Sequence, residues 1–183
     1  MLFRQLVLLS LALICIPALN PPVGLAEESP RDNQRILLSQ AESGTITEEA
    51  VQKLIEQVKA IGKSRDVEAL LKYFTPFTYS EFTVNTDAVS EVIRLSGISE
   101  HRAFFQETWQ DVKSSEDVDD DFQISLSGDE KTALVRRTRQ VNVTLKDGTR
   151  ILVMSTSLSR LAIVDGQLKI ISIQESADID VRP

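Results

Sequence analysis

One cysteine, one histidine and one tryptophan are spread over 183 residues, and each scarcity removes a class of chemistry. Cys15 lies inside an N-terminal apolar run, so the folded part of the chain is expected to hold neither a disulfide framework nor a cysteine nucleophile. His101 alone is too few for a histidine-based zinc site. Serines are plentiful, but no spacing marks a nucleophile, and a serine triad would have to use His101. The seven glycines are scattered and mostly mark turns, so no glycine-rich phosphate loop occurs. Basic side chains are outnumbered, with 20 Lys and Arg against 27 Asp and Glu, the reverse of what a general nucleic-acid binder needs. The expectation is no metal, no cofactor and no nucleic acid.

The chain opens with "MLFRQLVLLSLALICIPAL", which has one charge, Arg4, and an apolar run interrupted only by Gln5 and Ser10. "NPPVGLA" follows, with Gly24 and Ala26 at the −3 and −1 positions of a cleavage site. That is the layout of a secretory signal peptide cleaved near Ala26, and it predicts export to a periplasm or the outside. The alternative is a retained membrane anchor, though the run is short against the roughly 20 residues of a spanning helix. Ile14 before Cys15 argues against a lipoprotein. Cleavage removes the cysteine and one basic residue, Arg4, so 19 Lys and Arg remain against 27 Asp and Glu, a net charge of −8. The expected organisation is 1–26 signal peptide, 27–44 polar tether and 45–183 one domain.

Thr45 and Glu48 fit a reciprocal capping box, and Val51, Leu54, Ile55, Val58 and Ile61 form an apolar stripe that predicts a helix ending at Gly62. Val67, Leu70, Leu71 and Phe74 predict a second, shorter helix, which Pro76 stops. "FTYSEFTVN" reads as a short strand. "EHRAFFQETW" predicts a third helix reaching about Lys113, with His101, Phe104, Phe105 and Trp109 on one face. In "EDVDDD", Asp117, Asp119 and Asp121 match the first half of a calcium loop. Phe122 stands where that loop needs glycine and Gly128 where it needs glutamate, so a solvated acidic loop is expected. Gly128, Asp147-Gly148 and Asp165-Gly166 then delimit four strands of an antiparallel meander. Strands this long twist and bulge, and only the three helices are available for such a sheet to wrap. The predicted class is α+β, with three N-terminal helices packed on a strongly curved meander.

With two-residue hairpins, Lys146 opposes Thr149 and Val164 opposes Gln167. Arg139 then faces Thr156, and Thr156 faces Glu175. One sheet face is polar in its middle (Arg136, Thr138, Gln140, Ser155, Ser157, Ser159, Ser172, Gln174, Ser176). The other is mainly apolar (Val135, Val141, Val143, Leu152, Met154, Leu158, Ile171, Ile173, Ile179) and should cover the helices. Arg137, Arg139, Thr156 and Glu175 interrupt that apolar face. Charges there are costly unless paired or wetted. Two readings stay open: a structural Arg139–Glu175 ion pair, or a partly hydrated cavity floored by this cluster. Its walls would be His101, Phe105 and Trp109, with Tyr73 or Tyr79 nearby. Two arginines can grip a carboxylate in bidentate fashion, so a small organic anion would fit. His101 itself is either a satisfied core residue or part of that wall.

The order of elements, with "RDVEALLKYFTP", "SGISEHRAFF" and the closing "DGQLKIISIQESA", resembles the nuclear transport factor 2-like superfamily over roughly Thr45 to Ala177. The resemblance implies a cone-shaped α+β fold with a pocket between sheet and helices. Its members include isomerases such as ketosteroid isomerase, dehydratases and polyketide cyclases (SnoaL-like), and also non-catalytic binding and assembly domains. They often dimerise through the outer sheet face. Leu168 stands where many members carry tryptophan, and Ser172 and Gln174 where histidines are often found. The expected function is therefore an exported, non-catalytic small-ligand-binding domain, a homodimer through its polar sheet face. One alternative is an isomerase, dehydratase or cyclase with Glu175 as base and His101 or a tyrosine as acid, although Arg139 nearby would depress the Glu175 pKa. The other is a protein-assembly domain.

Overall fold

The computed structural model describes residues 44–182; the segment expected to be a signal peptide and nearly all of the expected tether fall outside the described residues. Helix α1 spans Glu48–Ser64 and is capped by Thr47, whose hydroxyl accepts from the Ala50 amide at 3.3 Å. The cap is thus two residues later than the Thr45 box predicts, and α1 runs past Gly62 until Arg65 takes a left-handed conformation. Helix α2, Val67–Leu71, is capped by Asp66. Strand β1 is Phe74–Asn85 and β2 Ser90–Ser96; β2 carries too little alternation to be foreseen. Helix α3 is Gly97–Gln110. Four long strands close the chain: β3 Val112–Leu126, β4 Thr132–Leu145, β5 Arg150–Val164 and β6 Gln167–Arg182.

The class is α+β as expected, with one six-stranded sheet in the order β2-β1-β6-β5-β4-β3. β3 to β6 form the predicted antiparallel meander, but β1 joins β6 in parallel. The inner face covers the helices. Phe104, Phe105 and Trp109 of α3 are buried with Leu54, Leu70, Phe82, Val141 and Ile173. Phe82 stacks on Phe104 at 5.4 Å between centroids, a contact worth about 0.5–1.5 kcal/mol beyond the area it buries.

Three local features correct the predicted surfaces. The acidic stretch is not a loop but part of β3. Val118 has no partner on β4, and this irregularity brings both Asp117 and Asp120 to the inner face although they stand three positions apart, which in a regular strand puts them on opposite faces. The β4–β5 turn holds three residues, Lys146 to Gly148, with Gly148 at φ 92°, and Leu145 accepts from the Gly148 amide. This one-residue change flips β5. Arg139 opposes Ser155, Thr138 opposes Thr156, and Ser155, Ser157 and Ser159 turn inward in place of Leu152, Met154, Thr156 and Leu158. Met154 and Leu158 are 45% and 39% exposed, while Leu152 is buried. The third feature lies in β6, where Ile171 has no partner on β5 and the register moves once more. The second slip undoes the first, so Glu175, Ile173 and Ile179 are buried as the alternation predicts.

Candidate functional site

The inner face of β3 and β4 carries two ion pairs. Arg137 donates from Nε to Asp120 Oδ1 at 2.6 Å and from Nη2 to Oδ2 at 3.0 Å. Lys59 of α1 reaches the same carboxylate, Nζ to Oδ2, at 2.6 Å. Arg139 donates from Nε to Asp117 Oδ1 at 2.5 Å. Each arginine reaches a diagonal neighbour, a spacing that long side chains bridge easily. Phe122 lies under both cations, 4.7 Å from Lys59 Nζ and 4.9 Å from Arg137 Cζ, which adds cation–π attraction. Arg65 ties the end of α1 to the start of β3 by donating to the Val112 and Lys113 carbonyls, and so helps to hold Lys59 over this strand.

Burial decides the electrostatics. It raises the pKa of Asp120, but hydrogen bonds and charge from Arg137 and Lys59 outweigh it, and the carboxyl ends below its ordinary value. Burial lowers Arg139, with a contribution from the neighbouring Arg137, while Asp117 opposes. Glu175, one cross-strand row from Arg137 by way of Ser157, is pushed by burial up to about 7, against the pull of Arg137, Ser155 and Arg139. Its pKa therefore rises where proximity to arginine alone predicts a fall, because desolvation is the larger effect. Arg139 Nη1 and Nη2 and Glu175 Oε2 are buried without hydrogen-bond partners, although Nη2 lies against Asp117 as an ion pair. The structure does not join Arg139 and Glu175 in a salt bridge: Arg139 pairs with Asp117, and Asp120 pairs with Arg137 and Lys59.

Between α1 and this inner face lies a cavity of about 70 Å³. Leu54, Ile55, Leu70, Phe74, Leu161 and Ile173 supply apolar wall, with Ser157 and Ser159 as polar points. Among the described residues its only charged wall residues are Lys59 and Arg137, both cations. An enclosed cavity of about 150 Å³ can take benzene, so this one suits a few heavy atoms unless its walls move.

The proposed wall residues lie elsewhere. His101 is fully buried behind Phe74, whose ring is 4.9 Å away edge-on. Its Nδ1 lies 2.6 Å from the Gly97 carbonyl and its Nε2 2.7 Å from Ser80 Oγ. A carbonyl only accepts, so Nδ1 carries the proton, Ser80 donates to Nε2, and the ring is neutral. Burial lowers its pKa accordingly. Phe105 and Trp109 are core residues. Tyr73 is half-buried and donates to Gln57, and Tyr79 is exposed beside Glu81. Thr156 is on the outer face, exposed. Arg137, Arg139 and Glu175 are brought together; Lys59, Asp117, Asp120, Phe122 and Ser157 join them. Asp117, Asp120, Phe122 and Ser157 escape sequence reasoning because their placement depends on the β3 irregularity and the β5 flip, and Lys59 because it flanks the apolar stripe of α1 without belonging to it. Only the acid spacing against the arginine pair hints at Asp117 and Asp120.

No protein-family model matches the chain, and no curated protein does. Solved structures do. One is a proposed aromatic ring hydroxylase from Novosphingobium aromaticivorans, with 15% identity, TM-score 0.57, and coverage of 85% of this chain and 96% of that one. Another is a hexachlorocyclohexane dehydrochlorinase of type 2, with 11% identity, TM-score 0.54, and coverage of 84% and 91%. A third is a nuclear transport factor 2-like protein of unknown function from Pseudomonas putida, with 12% identity, TM-score 0.52, and coverage of 70% and 84%. The chain has the nuclear transport factor 2-like fold. Identities this low carry the architecture and no chemistry.

Proposed function

We propose, with the nuclear transport factor 2-like fold as premise, that this chain is an exported, non-catalytic domain that binds a small organic anion in the chamber beneath α1. The observation that carries the reading is the wall itself: apolar on most sides, with Lys59 and Arg137 as its only charges among the described residues. In a poorly solvated site two cations favour an anion strongly, and Asp120 offsets only one of them. The short apolar body of such a ligand would lie against Leu54, Leu70 and Phe74. Calorimetry and thermal shift with formate, acetate and propionate, each against its neutral amide, test this. The acids should stabilise the chain more than their amides, and Ser159→Met, which fills the chamber, should remove the difference. Equal effects of acid and amide sink the reading.

A proton-transfer role is the second reading, favoured by one observation: a Glu175 carboxyl near 7 is matched to acid–base work at neutral pH. It calls for exchange of protons alpha to a carbonyl in small ketones or thioesters, followed by NMR in deuterium oxide and lost in Glu175→Gln. A homodimer through the outer sheet face is supported by Met154 and Leu158, exposed between Gln140 and Asp178 and between Arg136 and Gln174 on the neighbouring strands. Leu158→Glu should then yield monomers in light scattering, and an unaltered wild-type monomer at high concentration removes the dimer.

A further inference from the structure

Among the described residues two polar atoms of the inner face, Nη1 of Arg139 and Oε2 of Glu175, are buried with neither a hydrogen bond nor an ion pair. The residues are 3% and 6% exposed. Buried polar atoms nearly always have partners; neither residue lines the chamber, but Arg139 stands two positions along β4 from the wall residue Arg137, and Glu175 lies across from the wall residue Ser157. Arg137, Ser157 and Glu175 form one cross-strand row, and the first two are chamber walls.

The chemistry of the unmatched atoms selects the group that would satisfy them. Nη1 of Arg139 carries two N–H bonds and can only donate, while Nε and Nη2 are already held by Asp117. A carboxylate has one oxygen to accept from Nη1 and a second to turn toward the group opposite. Facing Glu175, however, such an anion meets a second carboxyl. If Glu175 is ionised the two repel; if it carries a proton, its O–H donates to the incoming oxygen.

Charge balance gives the same answer. The charged and titratable groups of the inner face are Lys59 from α1, Asp117 and Asp120 from β3, Arg137 and Arg139 from β4, and Glu175 from β6. β1 contributes Ser80, Phe82 and Val84, and β5 Ser155 and Ser157, none of them ionised; His101 of α3 is neutral. Three cations meet three acids when Glu175 is ionised, and one positive charge is in surplus when it is protonated. An added monoanion restores neutrality only in the second case.

We infer that this site takes up a small carboxylate together with one proton, the anion lying between Arg139 and a protonated Glu175. The inference rests on the anion-binding reading above and adds the regulation of that site by pH. The proton comes from solvent and resides on Glu175; no bond of the ligand is made or broken. Burial already holds the Glu175 carboxyl near 7, so the proton is available close to neutrality.

Calorimetry of acetate binding to the full chain, from about pH 6 to 8.5, tests this, repeated in buffers of different ionisation heat to count protons. Above the Glu175 pKa, affinity should fall about tenfold per pH unit and uptake should approach one proton per anion. Glu175→Gln supplies an N–H donor at any pH, so it should bind acetate with a flat pH profile. Arg139→Met should lose binding while circular dichroism shows the fold retained. Acetate binding that is equally tight across this range, without proton uptake, overturns the inference and leaves the anion-binding reading standing. An absence of binding at every pH by a folded wild-type chain overturns both.

Discussion

Arg137 and Asp120 meet by two parallel hydrogen bonds across the β3–β4 pair, at 2.6 and 3.0 Å, and the same carboxylate holds Lys59. Two cations thus depend on one acid in a mostly buried place. Removing a single partner of such a group leaves charge without compensation, which costs more than the intact pair is worth. Asp120→Ala should therefore destabilise the chain by roughly 3–5 kcal/mol, measured by urea unfolding. Replacing both members, as Asp120→Leu with Arg137→Met, should cost less than Asp120→Ala alone. A double variant as unstable as the summed singles would show that the pair is not coupled.

Ser80 and His101 call for a different measurement. The hydroxyl donates to an imidazole that has no solvent to turn to. Ser80→Ala leaves Nε2 a buried acceptor without a donor, at a cost of about 1–3 kcal/mol. The depressed His101 pKa also fixes a pH dependence. A group whose folded value lies below its unfolded one gives stability that is complete above about 6.5 and is lost as pH falls toward the folded value. Nitrogen NMR should show the Nδ1–H tautomer persisting below pH ~6.5, the ordinary imidazole value. An imidazolium signal at that pH contradicts the assignment.

The helices and the four-stranded meander were legible because apolar periodicity and turn residues report them directly. Faces were less so, and the reason is specific. Asp-Gly suits both a two-residue turn and a three-residue turn ending in a left-handed glycine. Asp165-Gly166 adopts the first, with both residues at positive φ, and Asp147-Gly148 the second. One residue of difference reverses every side chain of β5. The unpaired Ile171 and Val118 have no local signature, since what they satisfy is curvature over a whole sheet. Asp117 to Asp121 disfavour a strand by propensity, and the ion pairs to Arg137 and Arg139 override it. The inward placement of Arg137, Arg139 and Glu175 on β4 and β6 was therefore legible, and that of their neighbours on β3 and α1 was not.

Gly97 joins β2 to α3 at φ 71°, and an added Cβ would stand 2.9 Å from the Pro76 carbonyl oxygen. Its own carbonyl accepts from His101. Side chain and backbone objections coincide here, because the left-handed region costs an L-residue about 1–2 kcal/mol before any clash. Gly97→Ala should cost roughly 2–4 kcal/mol in all and disturb the His101 ring signals. Substitution of Gly44 or Gly148, where an added Cβ meets nothing within 4 Å, should cost only the backbone part.

Glu175 gives the prediction with the clearest sign. Its folded pKa, about 7, lies above the ordinary carboxyl value, so folding favours the protonated form. The stability this group allows is complete below the unfolded pKa near 4.5 and declines as pH rises from there through about 7. Above that range the chain carries an ionised carboxylate with an unpartnered oxygen in its interior. Each unit of difference corresponds to about 1.4 kcal/mol. Glu175→Gln should thus be more stable than wild type by roughly 2–4 kcal/mol at pH above about 8 and nearly equal to it below about 4.5. Urea midpoints across this range decide it. A difference that grows toward acid pH instead would mean that Glu175 is held ionised by Arg137 and Arg139, and that burial is the smaller effect.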